Sequence, residues 1–110
     1  MNSKQLWIGT VEVRALEGRR EILGEARGAF VNIVTWALDA DEYDRNVRLV
    51  IGHLGGLFVS EIINPEPVET RRAKTSGQFS EDIEDMISRA KENPNAIIYG
   101  TFHMFEKDDA

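Results

Sequence analysis

The chain has 110 residues, 42% of them apolar, with nineteen acidic against thirteen basic side chains and a net charge of −6. That is apolar material for one core in one domain of ordinary size, and the acid excess works against unspecific binding to nucleic acid, which needs a basic surface to displace counterions. There is no cysteine, which excludes disulfides, thiol nucleophiles and cysteine metal ligands and is compatible with a reducing, cytoplasmic setting.

The first ten residues, "MNSKQLWIGT", hold one lysine and no long apolar stretch after it, so they do not read as a signal peptide. No run approaches the roughly 18 apolar residues of a membrane span, and no membrane partner is expected. "LWIGTVEVRAL" (Leu6–Leu16) predicts a strand, with Val11 and Val13 alternating with Glu12 and Arg14. "EGRREILGEARG" reads as an irregular connection. "AFVNIVTWAL" (Ala29–Leu38) carries β-branched and aromatic residues on both faces and predicts a central strand.

"DADEYDRNVRLVIGHLGG" predicts a helix. Asp39 caps it with Glu42 at capping-box spacing, and Ala40, Tyr43, Val47, Val50, Ile51 and Leu54 form one stripe, of which Ala40, Tyr43, Val47, Ile51 and Leu54 should be buried. Gly55 and Gly56 end it. "LFVSEII" (Leu57–Ile63) is a strand, and "FSEDIEDMISRAKENPN" a helix capped by Ser80, with Ile83, Met86, Ile87 and Ala90 facing inward and Pro94 as its stop. "AIIYGTFHMF" (Ala96–Phe105) is a last strand, and residues 106–110 read as a charged tail.

The segment "EIINPEPVETRRAK" decides the topology. The fifteen residues from Pro65 to Phe79 are too long for an idle loop in a compact domain. Pro65 and Pro67 suit the start or the edge of a strand, and "VETRRAK" is extended-compatible, so a short strand over Val68–Ala73 is favoured. The expectation is then a single α+β domain over residues 1–110, a two-layer sandwich. It has a ferredoxin-like β-α-β-β-α-β order from Ala29 onward, both helices on one sheet face, Trp36 with Ile33 or Val34 buried, and Leu6–Leu16 as an extra strand. The alternative, with 68–73 as loop, is a β-β-α-β-α-β mixed sheet. The choice places the acidic helix starts (Asp39, Asp41, Glu42, Asp44 and Glu81, Asp82, Glu84, Asp85) at opposite ends or at one end.

Most catalytic chemistry finds no support. His53 and His103 lie far apart with no H-x-x-x-H pair, and both read as surface residues, so no metal is expected. "DADEYD" lacks the third ligand and the glycine of a calcium loop. The acids are accounted for by the helix dipole and by i,i+4 pairs such as Asp44–Arg48 and Asp85–Arg89. No G-x-S-x-G occurs, and "GHLGGLF" follows a helix where nucleotide loops follow a strand. Phe30, Trp36, Tyr99 and Phe105 could stack bases on an open sheet, but basic companions are missing. No cofactor, nucleic acid or catalytic residue is therefore expected.

Two features stand outside this account. Leu49 lies nearly opposite the helix stripe, and the 65–78 segment joins stiffening prolines to the bidentate donors Arg71 and Arg72. The functional expectation is a non-catalytic, cytoplasmic protein-binding domain for a basic partner, with Glu66, Glu69, Arg71, Arg72, Lys74 and Leu49 as its contacts. A small acidic inhibitor of a basic enzyme is its most concrete form. In size and charge only, such a protein is similar to bacterial immunity proteins against nuclease toxins. The rival is a small-molecule domain or a modest hydrolase or isomerase, with Tyr99, His103 and Glu61 as polar groups in a pocket between sheet and helix.

Overall fold

The computed structural model describes residues 4–19, 23–24 and 26–105; the expected tail over 106–110 lies outside them. In chain order the elements are β1 (Gln5–Ala15), β2 (Gly28–Ala37), α1 (Ala40–Leu54), β3 (Leu57–Pro67), α2 (Val68–Lys74), α3 (Glu81–Lys91), β4 (Ile97–Tyr99) and β5 (His103–Phe105). The fold is α+β; among the described residues there are three helices and a five-stranded sheet in the order β3-β1-β2-β4, β5 continuing the edge beyond β4 along β2. Every strand pairing is antiparallel.

This differs from the expected ferredoxin-like arrangement at three points. Val68–Ala73 is helix, where a strand was predicted. β1 is no added strand but the centre of the sheet, paired on both sides. The helices occupy both faces of the sheet, so the layers number three. Odd-numbered strand residues (Val11, Val13, Val31, Ile33) pack with Tyr43, Val47 and Ile51 of α1. Even-numbered ones (Leu6, Ile8, Val34) pack with Val68 of α2 and Met86, Ile87 and Ala90 of α3. A central strand that is apolar at both parities needs cover on both sides, and β2 is such a strand.

The helix termini follow the predicted chemistry. Asp39 accepts from the Glu42 amide at 2.9 Å, while the Glu42 carboxylate reaches back to the Leu38 amide at 2.7 Å. Ser80 accepts from the Ile83 amide. Of the α1 stripe, Tyr43, Val47 and Ile51 are buried, but Ala40 is exposed and Leu54 is 40% exposed, because the helix ends there. Ile33 and Val34 are buried. Trp36 is half-buried instead of buried, and its indole N–H donates to the Ala90 carbonyl at 2.8 Å. That bond sets the C-terminus of α3 beside the end of β2, where α1 starts. The acidic start of α3 therefore lies away from the acidic start of α1.

β3 reaches Pro67 by bulging twice. Its register against β1 shifts between Glu12 and Val13 and again between Ile8 and Thr10. At the second shift Asn64 and Pro65 stand opposite Gly9, and Asn64 takes a left-handed φ of 49°, a conformation asparagine tolerates. Gly9 leaves room for this. A Cβ there would lie 2.9 Å from the Tyr43 hydroxyl and 3.3 Å from the Pro65 Cα. The Tyr43 hydroxyl donates to the Ile33 carbonyl at 2.7 Å; burial pushes its pKa far above the ordinary value.

The helix register has a direct test. Val47→Asp puts an unpaired charge against the sheet and should cost several kcal/mol, about the whole stability of a marginal domain. Leu54→Asp, at the exposed end of the same stripe, should change stability by no more than about 1 kcal/mol. Chemical denaturation of the two variants reads both, and equal tolerance would overturn this packing.

Candidate functional site

The strands set out the α2/α3 side of the sheet in rows. Glu66, Ile8, Val34 and Ile98 share one row, and Leu6 and Trp36 the next; α2 and α3 cover these. Ile63, Thr10 and Asn32 form the boundary row, where the Thr10 hydroxyl donates to the Asn32 amide oxygen at 2.9 Å. Beyond it lie Glu61, Glu12, Phe30 and His103, then Phe58, Arg14, Gly28 and Phe105. Strands of 11 residues run about 36 Å, but α3 with its 11 residues spans only about 17 Å and α2 with its seven about 11 Å. The last two rows stay open.

This open half is built, residue by residue, as an aromatic and charged surface. Gly28 has no side chain, so the Phe105 ring settles over β2; a Cβ there would lie 2.6 Å from the ring. Phe105 thereby reaches Phe30, centroids 5.1 Å apart, and the Arg14 guanidinium, 5.5 Å from its centroid. Arg14 also donates to the Glu12 carboxylate at 2.9 Å. Across the next strand pair Glu61 stands directly opposite Glu12. Phe30 is 36% and Phe58 43% exposed. At the boundary, Asp82 and Asp85 line a cleft with Gly100 and Thr101, the link between β4 and β5.

The residues expected to meet a partner divide differently. Glu66, Arg71 and Lys74 form one network: Arg71 Nε pairs with Glu66, Arg71 also donates to the Asn64 carbonyl at 2.8 Å, and Lys74 Nζ lies 2.8 Å from Glu66. Lys74 and then Arg71 hold the Glu66 carboxyl below its ordinary pKa of 4.5. Arg72 grips both Glu84 oxygens, at 2.8 and 3.0 Å, and lies 4.9 Å from the Phe79 ring centroid. These cations pin the second bulge and tie α2 to β3 and α3. Glu69 faces outward, 3.9 Å from Arg72. Leu49 is 55% exposed on α1, across the sheet from α2. The structure thus joins Glu66, Arg71 and Lys74, and separates Leu49 from them.

The residues proposed for a pocket do not converge either. Glu61 and His103 sit on the two edges of the sheet, three strand spacings or about 14 Å apart, and Tyr99, in register with Ile33, belongs to the α1 side. Among the described residues no group of three histidine or acidic side chains is placed to hold a metal ion, and no helix is long and apolar enough to cross a membrane.

Of the open half, the sequence points to Phe30 and Phe105 as exposed sheet aromatics and to Glu61 and His103 as polar groups, but Glu12, Arg14, Gly28 and Phe58 were missed, although a signal existed. Even-numbered residues of β1 change from apolar (Leu6, Ile8) to polar (Thr10, Glu12, Arg14) along one face, which marks where cover stops. Comparison with protein-family models, with curated proteins and with solved structures finds no match to this chain.

Because the cations of α2 act within the molecule, Arg71→Glu should lower the melting temperature by at least about 5 °C, the shift that accompanies ~1 kcal/mol in a domain of this size. Glu69→Lys, outward-facing, should leave it unchanged. The lowered pKa of Glu66 fixes the sign with pH. Its contribution is present above the ordinary value of 4.5 and is lost as pH falls through the lower folded value. The gap in melting temperature between the wild type and Glu66→Gln should therefore be full at neutral pH and close in acid; a gap independent of pH would remove Glu66 from the network's charge balance.

Proposed function

We propose that this chain is a non-catalytic protein-binding domain whose open sheet half seats a basic protein partner. The observation that carries the reading is the pair of uncovered rows, Glu61-Glu12-Phe30-His103 and Phe58-Arg14-Gly28-Phe105, on strands whose other face is core. Interfaces draw their strength from aromatic and arginine anchors in their centre. Three phenylalanines and one arginine stand here on rigid strands, so little order is lost on binding. The net charge of −6, with Asp82 and Asp85 at the rim, favours encounter with a cationic surface and makes its rate dependent on salt. A small acidic inhibitor of a basic enzyme, acting in the cytoplasm, is the concrete form of this reading.

The small-molecule alternative has less to stand on. The main clefts outlined by the described residues hold about 180 to 250 Å³ each, below the ~300 Å³ at which ligand pockets begin. The one lined by Leu23, Leu54, Leu57, Tyr99, Phe102 and Met104 is apolar and brings no set of convergent polar groups.

Affinity capture with the wild type, followed by Phe58→Asp and Leu49→Asp, tests the reading. Phe58→Asp should fold normally and weaken the captured partner at least about tenfold, a 1.4 kcal/mol loss. Leu49→Asp, on the other side of the sheet, should bind as the wild type does, and the captured partner should have a basic isoelectric point. Loss of binding with Leu49→Asp and not with Phe58→Asp would move the site to α1 and overturn the assignment.

A further inference from the structure

The open rows hold one guanidinium, and its surroundings show what kind of group the face accepts. Arg14 lies between a carboxylate, Glu12 at 2.9 Å, and an aromatic ring, Phe105 at 5.5 Å. The same two kinds of group recur on the neighbouring edge strand. Glu61 is in the row of Glu12, and Phe58 is in the row of Arg14. Arg14 leans across Gly28 toward Phe105, and Phe58 is left 43% exposed.

The charges at this point do not balance. Glu12 and Glu61 are directly opposite on adjacent strands, a like-charge arrangement that destabilises a sheet. One cation, Arg14, serves Glu12. Among the described residues Glu61 has no ion-pair partner: the remaining bridges go to Glu42, Asp44, Glu66, Glu69, Glu84 and Asp85. A second guanidinium over Phe58, bonded to Glu61, would complete the row.

We propose that Glu61 and Phe58 form a recognition point for an arginine side chain of the basic partner, beside Arg14 and Glu12. The inference rests on the reading of the open half as a protein-binding face and adds the chemistry that face selects. A guanidinium is planar, stacks on a ring and offers paired donors to a carboxylate. An ammonium is a more strongly hydrated point charge and uses the ring less well. Arginine is therefore preferred to lysine here. Elsewhere the combination is already served by a cation of this chain: Tyr99 lines a cleft with Asp82 and Asp85, but Arg89 stands in it and pairs with Asp85, Asp44 of the α1 start pairs with Arg48, and in the α2 network Arg72 occupies Phe79 and Glu84.

The test is a titration of isotope-labelled full-length protein with two blocked pentapeptides, Gly-Arg-Gly-Arg-Gly and Gly-Lys-Gly-Lys-Gly, followed by amide and side-chain NMR shifts. The arginine peptide should move the signals of Phe58, Glu61, Glu12 and Phe30 and bind at least about threefold more tightly than the lysine peptide, the scale of a weak cation–π gain. Glu61→Gln should abolish the shifts at Phe58. Phe58→Leu, which keeps apolar area and loses the ring, should retain binding and lose the preference for arginine. Equal binding of the two peptides, or shifts confined to Asp41, Asp44, Asp82 and Asp85, would overturn the arginine assignment. The wider reading falls on a different result, a captured partner that is insensitive to Phe58→Asp.

Discussion

A sheet whose central strands are apolar on both faces must be covered on both faces, and this chain has unequal cover to offer. On one side stand the fifteen residues of α1, joined by Leu23 from the connection between β1 and β2. On the other stand two short helices, α2 and α3, set side by side along one half of the strands. The strands respond in their composition. Where cover exists, the buried positions of both parities in β1 and β2 are apolar except Thr35, whose hydroxyl donates to the Ala96 carbonyl at 3.0 Å. Where it stops, the even parity turns to Thr10, Glu12, Arg14 and Asn32 while the odd parity stays Val11, Val13, Val31. The division into core and open surface is thus written along single strands, and the surface inherits the rigidity of the core beneath it.

The edge strand β3 is fitted to this sheet by a set of mutually dependent devices. An edge with free backbone groups invites pairing with other chains. Two bulges and two prolines interrupt β3, and the helix that follows folds back over its end. Helix α2 has seven residues, too few to persist alone. It is held by the burial of Val68 and by Arg71, Lys74 and Arg72 reaching Glu66 and Glu84. Arg71 in turn bonds the carbonyl of Asn64, whose left-handed turn sits where Gly9 admits the Tyr43 ring. Packing on the α1 side, the bulge and the ion pairs on the α2 side therefore meet at one edge.

Much of the architecture was legible in the sequence, and the failures have physical causes. The two long helices, their caps and the central strand β2 follow from periodicity and cap chemistry, which are local. Segment 68–74 was misread because its period is ambiguous over seven residues. The pattern that would have decided it was Pro67 before Glu69, with Arg71, Arg72 and Lys74 in the last turn, the charge order a helix dipole favours. Face assignment failed for a different reason. Nothing local says whether two amphipathic helices share one side of a sheet, and the evidence lay in the double-sided apolar character of β2. The cations of α2 were read as outward because exposure is the usual state of arginine, whereas their partners, Glu66 and Glu84, lie up to twelve residues away.

The open half raises a problem of its own, because exposed phenylalanines on a flat sheet also promote association of a protein with itself. Two copies meeting face to face would bring the Glu12 and Glu61 rows toward each other, with Asp82 and Asp85 at the rim, in molecules that each carry a charge of −6. Arg14 offers one cation per copy and is already bonded to Glu12. Repulsion therefore opposes the contact that the rings favour. A cationic partner reverses only the electrostatic part and keeps the apolar gain. On the proposed reading the carboxylates would serve specificity more than affinity: they would keep the aromatic surface apart from its own copies and select, among apolar surfaces, the ones that bring positive charge.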